Sequence, residues 1–358
     1  MGHTLEKTTS KKDCIAFVQR QSTQGERLVF GMSVSRLDDA VSMQTLRRHQ
    51  AAARALCMDI KRHLQSLDIA VRVVTGKTRM LSSAQTVKSK MLSRGAEMMM
   101  LVTKNDWRYG VVDAVQDINA FTARDVHRPA RDTHAGMLPP KLARIMTNIA
   151  FAPQSRAHPV LLDPFCGSGT VLQEAMLLGC DVIGADKSPS AIKGTTQNIA
   201  WLLQSIQKRQ DTSHTIFRSD IRKITDHLRP QSVDAIVTEP FLGDPARRPH
   251  TVAALRPMIQ KLSALYHDAF RIFKTVLRPG GRVVIVFPRF VMAQSRREAM
   301  SLSTTVLPEL REWKHVHAFP QEYRKQFADG LTSDGAFLYA RPDQYIQREI
   351  FVFEHLRP

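Results

Sequence analysis

Val160-Leu161-Leu162-Asp163-Pro164-Phe165-Cys166-Gly167-Ser168-Gly169-Thr170-Val171-Leu172-Gln173-Glu174-Ala175-Met176 decides how this chain is read. A short apolar run of strand character enters a glycine-rich turn, and a helical pattern leaves it. The two glycines let the backbone turn tightly and approach a ligand with no Cβ in the way. A dinucleotide fingerprint would put a third glycine three residues after the second, where this chain has Leu172. The carboxylate of Asp163 at the strand end and the bulky Phe165 in the turn suit a compact cationic ligand better than a pyrophosphate.

Outward from this turn, strand and helix patterns alternate. Strands are expected at 159–163, 181–186, 214–218, 233–238 and 282–287, with helices between them. Segments 336–340 and 349–353 read as a closing hairpin around Arg341-Pro342-Asp343-Gln344, and 313–319 as a further strand. Upstream, 28–34, 69–75 and 97–103 are strand-like. A helix is expected over 40–66, with Val41, Leu46, Ala53, Leu56, Ile60, Leu64 and Leu67 on one face and Arg47, Arg48, Arg54, Lys61 and Arg62 on another. A second helix is expected from Ser82 to Arg94, closed by Gly95. Between the halves, Arg124-Asp125, Arg128-Pro129-Ala130-Arg131-Asp132 and Gly136-Met137-Leu138-Pro139-Pro140 predict an ordered, non-repetitive joint. Charges at that density need partners, since each costs free energy if buried alone.

The chain has 358 residues, 43% of them apolar, which is ample for two packed cores. It carries 51 basic against 33 acidic residues, a net +18. The excess is even: 22 against 13 up to position 135, and 29 against 20 after it. A basic charge spread through folded sequence favours a polyanionic partner such as nucleic acid. No apolar run reaches the roughly 18 residues needed to span a bilayer. The first residues lack the apolar core of a signal peptide. Cys14, Cys57, Cys166 and Cys180 are widely spaced, which suggests neither a metal site nor a disulfide framework. A cytoplasmic setting is the expectation.

Open α/β sheets hold ligands at the carboxyl ends of their strands. Asp186 ends the second strand of this half, where a carboxylate can accept from ribose hydroxyls; a plain helix cap is the alternative. Asp220, after the third strand, can accept from an adenine amine, or again simply cap. At the end of the fourth strand stands Thr238-Glu239-Pro240-Phe241-Leu242-Gly243. The amine of a nucleobase is a poor nucleophile, because its lone pair is delocalised into the ring. Glu239 and the Pro240 carbonyl are acceptors for such an amine, and Phe241 is a platform for the ring. Cys166 lies in the wrong turn for an attacking thiol and reads as a small packing residue.

Taken together, the glycine turn, the second-strand acid, Ser219-Asp220 and Thr238-Glu239-Pro240-Phe241-Leu242-Gly243 resemble the THUMP-associated tRNA guanine-N2 methyltransferases, the Trm-eleven-like group. The proline- and arginine-rich joint is similar to the segment before the first motif of that group's bacterial members. The resemblance implies a Rossmann-like class I methyltransferase domain over 146–358, with a mostly parallel sheet and an antiparallel C-terminal hairpin. It also implies a degenerate THUMP-like RNA-binding α/β domain over 1–105, chiefly by position and by Leu81-Ser82-Ser83-Ala84, and a basic joint over 106–145. S-adenosylmethionine is the implied cofactor, held by Asp163, Phe165, Cys166, Gly167, Gly169, Thr170, Asp186 and Asp220. Glu239, Pro240 and Phe241 are the implied catalytic set, and no metal is implied. The implied substrate is a guanosine N2 in tRNA; whether a small activator subunit takes part, and the oligomeric state, stay open. The family's better-known motif reads Thr-Asp-Pro-Pro-Tyr-Gly, so Glu239 here replaces an aspartate and the aromatic moves by one position. The alternatives are a DNA adenine-N6 or cytosine-N4 methyltransferase, and a non-catalytic RNA-binding subunit that keeps the fold.

Overall fold

The computed structural model describes residues 11–22, 26–37, 40–76, 78, 80–131, 136–151, 157–205, 211–244, 251–292, 299–324, 328–341 and 344–355. Two compact units divide the chain, Met1–Ala120 and Phe121–Pro358.

The first unit runs α1 (Lys11–Arg20), β1 (Leu28–Arg36), α2 (Met43–Gln65), β2 (Val71–Val74), α3 (Ser83–Lys88), β3 (Gly95–Val102) and β4 (Trp107–Val111). Its sheet has the order β2-β1-β3-β4, with β4 antiparallel to β3 and the other pairs parallel. The Ser42 hydroxyl accepts from the Thr45 N–H and starts α2, which buries Leu46, Ala53, Leu56, Ile60 and Leu64 of the expected stripe; Val41 and Leu67 fall outside the helix, and Leu67 is exposed.

Three sequence expectations need correction here. The helix expected to run to Gly95 stops at Lys88, and Lys90 takes the left-handed conformation at φ 55°. Gly95 instead opens β3, where a Cβ would lie 2.0 Å from the Val29 carbonyl oxygen, so strand proximity and not helix closure demands glycine. The joint does not begin at 106 either. Residues 107–111 complete the sheet as β4, and the division between units falls at 120. Arg108 and Gly110 interrupt this five-residue edge strand and mask its strand character in the sequence. In the same unit the buried Glu97 carboxylate accepts from the Ser33 and Thr86 hydroxyls at 2.6 and 2.7 Å. Ser33 in turn accepts from the Leu81 N–H, which fastens the Leu81–Ser82 segment to the sheet.

A one-turn helix α4 (Ile118–Thr122) spans the division and continues as a π turn, Ala123–His127. The second unit then runs α5 (Pro140–Phe151), β5 (Val160–Asp163), α6 (Thr170–Met176), β6 (Asp181–Asp186), α7 (Pro189–Ser205), β7 (His214–Arg218), β8 (Val233–Thr238), α8 (Val252–Val276), β9 (Leu277–Val291), β10 (Ala299–Ser301), β11 (Trp313–Val316), β12 (Phe337–Tyr339) and β13 (Ile346–His355). The main sheet has the order β11-β13-β9-β8-β5-β6-β7. Strands β5 to β9 pair in parallel, and β13 runs antiparallel to both β9 and β11.

Strand β8 is buried along its whole length, as a strand covered on both faces must be. Its alternate residues point to opposite layers. Ile236 joins a core with α8 residues such as Tyr266 and Phe273, while Ala235 and Val237 join one with Leu142 and Met146 of α5 and Leu172 of α6; Val233, before an irregularity in register, also joins the first. The expected hairpin is present as β12 against β13. Pro342 and Asp343 in its turn lie outside the described residues, as does Asp132 of the joint.

Candidate functional site

The tips of β5, β6 and β8 meet around the glycine turn. The Cys166 N–H donates to the Ala185 carbonyl at 2.9 Å, and the Gly169 N–H closes the loop on the Cys166 carbonyl at 2.7 Å. Gly167 and Gly169 sit at φ 52° and 80°, a region costly for residues with a Cβ. A Cβ on Gly167 would meet no protein atom within 4 Å, so that face of the turn opens outward. One on Gly169 would press on the Thr195 Cγ2 at 2.9 Å.

Asp163 is buried at the end of β5. Its Oδ1 accepts from the Thr238 hydroxyl at 2.6 Å and from the Phe165 N–H at 3.2 Å. Burial pushes its carboxyl up to about 7, against those two bonds, and the charges of Asp186 and Glu239 push the same way. Asp186 accepts one bond on each oxygen, from the Gly167 N–H at 3.1 Å and the Ser188 N–H at 2.9 Å. Each oxygen keeps capacity for a further donor. Among the described residues neither Asp163 nor Asp186 forms an ion pair.

Asp220 behaves as the capping alternative describes. It accepts from the Arg222 N–H, and Arg222 grips it through Nε at 2.9 Å and Nη2 at 3.0 Å. Those bonds hold its carboxyl down at about 2. It also lines an open cleft of about 550 Å³ with Lys187, Arg218 and Lys223.

Of three other residues expected at the cofactor, Cys166 and Thr170 are buried and Phe165 is partly buried. The Cys166 side chain is buried in the core beneath α5 and α6, where desolvation pushes its thiol well up. Phe165 is half-buried against the opposite core. The Thr170 hydroxyl is buried and accepts from Arg128 Nη1 at 2.6 Å.

The joint finds its partners here. Arg124 Nε donates to the buried Glu174 Oε1 of α6 at 2.5 Å, and Arg144 lies 3.3 Å from the other oxygen. Burial pushes the Glu174 carboxyl up while the three arginines Arg124, Arg144 and Arg128 pull it back. Asn198 of α7 bonds both backbone groups of Ala130 and the carbonyl of Ser168, so joint, turn and helix share one side chain.

At the tip of β8, Glu239 is held by a residue that the sequence reading did not single out. Arg348 of β13 forms a two-point pair with it, Nε to Oε2 at 2.5 Å and Nη2 to Oε1 at 3.0 Å. Nη2 also donates to the Gly136 carbonyl at 2.9 Å. The two side chains are only 6% and 16% exposed. Pro240 is buried, and Phe241 stands 49% exposed at the rim. The signal for Arg348 was its place: a charged residue within a strand otherwise buried at Ile350, Phe351, Val352 and Phe353.

Strand order, the final antiparallel strand and a ligand turn at the parallel strand tips define a class I methyltransferase domain, whose methyl donor is S-adenosylmethionine. Residues 128–308, just over half of the chain, match the RMKL-like methyltransferase domain. The chain belongs to that family. Among curated proteins it is similar to the tRNA (guanine(10)-N2)-dimethyltransferase of Methanothermobacter thermautotrophicus, 32% identical over 162 residues, 45% of this chain and 42% of that protein. The enzyme of that name from Methanocaldococcus jannaschii is 37% identical over 114 residues, 31% of this chain and 30% of that one. These matches span less than half the length of either relative. Among solved structures, TrmN from Thermus thermophilus aligns over 99% of this chain and 81% of its own, with 19% identity and a TM-score of 0.42. Among the described residues no helix is long and apolar enough to cross a membrane, and no cluster of ligating side chains could hold a metal ion.

Proposed function

We propose that this protein transfers a methyl group from S-adenosylmethionine to the exocyclic N2 of a guanosine in tRNA. The single observation that carries the proposal is the 2.6 Å bond from Thr238 to Asp163, which sets the acceptor motif of β8 directly beside the glycine turn of β5. The relatives that share this part of the chain are named for tRNA guanine-N2 methylation.

The residues fit the donor. Bound S-adenosylmethionine supplies an electrophilic methyl group on a cationic sulfur. Asp163 and Asp186 bring acidic groups to the strand tips, and Asp186 keeps acceptor capacity on each oxygen for a hydroxylated ligand. The outward face of Gly167 gives such a ligand access to the backbone. Asp220 retains one acceptor site for an adenine amine. Cys166 and Thr170 act by shaping the turn.

On the substrate side, Glu239 and the Pro240 carbonyl accept from the guanine amine and draw its lone pair out of the ring. Exposed Phe241 stacks the base, and fixed alignment with the methyl supplies much of the rate. Residues 1–105 form a THUMP-like RNA-binding part in this reading, and the basic excess of both halves grips the folded RNA by its phosphates and shape. The buried free thiols suit a reducing, cytoplasmic setting.

Purified protein with labelled donor is expected to label tRNA and leave DNA unlabelled. Nucleoside mass spectrometry of tRNA from cells lacking the protein should show loss of one N2-methylated guanosine. Label in DNA alone would defeat the RNA assignment.

A further inference from the structure

We propose that Arg348 is a positioning residue for methyl transfer, acting through Glu239; this rests on the amine-methylation reading above. Glu239 has one more methylene than aspartate, and a longer side chain has more rotamers to lose when it is fixed. The Arg348 guanidinium removes that freedom by a two-point pair, whose planar geometry matches a carboxylate as a lysine cannot. Each donor uses one acceptor site on each oxygen, which leaves the carboxylate free to take a further bond from an amine.

The pair also answers an electrostatic difficulty. Glu239 stands close enough to Asp163 to raise its proton affinity, with Asp186 adding to the same field. A third carboxylate in that company is repelled by the other two unless a cation stands beside it. Arg348 is that cation, and its own burial is offset by Glu239 and by the Gly136 carbonyl. Through Gly136 it also ties the acceptor motif to the segment leading into α5. The strand gives it this direction: Arg348 lies opposite Pro288 in β9, while its neighbour Glu349 faces away towards the Ser301 hydroxyl. An element far along the chain thus fixes the acceptor carboxylate.

The test compares Arg348→Met, Arg348→Lys, Glu239→Gln and the double variant Glu239→Gln with Arg348→Met, using the full chain, tRNA and S-adenosylmethionine. Arg348→Met is expected to lower kcat by about a hundredfold, the scale of a misplaced reacting group. Donor affinity and tRNA KM should stay near wild type. Arg348→Lys should recover only part of kcat, since it restores charge without the fork, and it provides the comparison if the methionine variant folds poorly. In the Glu239→Gln background the loss from Arg348→Met should largely vanish, because its route is through the carboxylate. Full kcat in Arg348→Met, full rescue by lysine, or losses that multiply in the double variant would each overturn the proposal. A wild-type chain that methylates no base amine would overturn this proposal and the underlying function together. Wild-type transfer with an indifferent Arg348 would overturn this one alone.

Discussion

Replacing Asp163 by asparagine should stabilise the free protein at alkaline pH while weakening its hold on the methyl donor. Asp163 is fully enclosed, and its carboxyl is raised from 3.8 to about 7. A raised acid contributes its full stability only below the unfolded value, and loses it progressively as pH climbs from 3.8 through about 7. At 1.36 kcal/mol for each pH unit between those two values, the ionised carboxylate costs the folded state about 4 kcal/mol once pH exceeds 8. At pH 5 the accumulated cost is only about 2 kcal/mol by the same relation. Asparagine has no such term, and its amide oxygen can still accept from the Thr238 hydroxyl and the Phe165 N–H. The advantage of the variant should therefore grow by about 2–3 kcal/mol between pH 5 and 8.5. Urea titrations without donor, followed by tryptophan fluorescence with its buried reporter Trp313, measure this as a shift in midpoint at constant slope. An advantage that stays constant across that range would show that Asp163 does not carry the raised affinity for protons assigned to it. The donor supplies the converse: a cation at the site favours the carboxylate, so wild-type donor affinity should strengthen as pH rises through 7, and the asparagine variant should lack that trend.

Three further outcomes follow from side chains already placed. Phe241→Ala removes a half-exposed ring with little packing, so stability should change by under about 0.5 kcal/mol. Its kcat/KM for tRNA should nonetheless fall about tenfold or more, the worth of one base stacked on an aromatic; steady-state kinetics beside a thermal melt separate the two. Arg124→Ala leaves the buried Glu174 without its closest cation and should cost about 3–5 kcal/mol, read as a lower unfolding midpoint. Glu174→Gln with Arg124→Ala should recover part of that loss. Gly169→Ala forces a Cβ into a left-handed backbone against Thr195 and should cost roughly 1–2 kcal/mol from the backbone alone. Adding Thr195→Ser, which deletes the clashing methyl and keeps the hydroxyl bonded to the Gly167 carbonyl, should restore a measurable part in the same melt.

What the sequence made legible was local. Strands β6, β7 and β8 fall at the expected bounds because each is a short apolar or β-branched run ended by a polar residue, Asp186, Arg218–Ser219 and Thr238. Their order along the chain, with a carboxylate at or after each tip, places Asp186, Asp220 and Glu239 along the carboxyl edge of the sheet. The hidden part was long-range or disguised. The strand expected from 282 in fact begins at Leu277 as β9, runs through Gly280 and Gly281, and carries an irregularity in register against β8 at that point. A Cβ on Gly281 would meet the Asp234 carbonyl at 2.8 Å, so the glycine serves close strand contact. In the joint, prolines and charges concealed α4, the π turn and α5, whose stability comes from partners in α6 and α7. Arg348 and Glu239 stand more than a hundred residues apart, and no spacing rule joins them.

The stitching of the joint to α6 and α7 bears on where this methyltransferase domain can be cut free. A fragment beginning at 146, close to the first strand of the sheet, would lose Arg124, Arg128 and Arg144 together. It would cut α5 in half, take Leu142 and Ala143 out of the core, and leave Glu174 inside without those three cations. A fragment beginning near 118 would retain all of them. The smallest portable piece is thus longer at its front end than the sheet alone requires. Any chimera that grafts this domain onto a different module has to carry that leader with it.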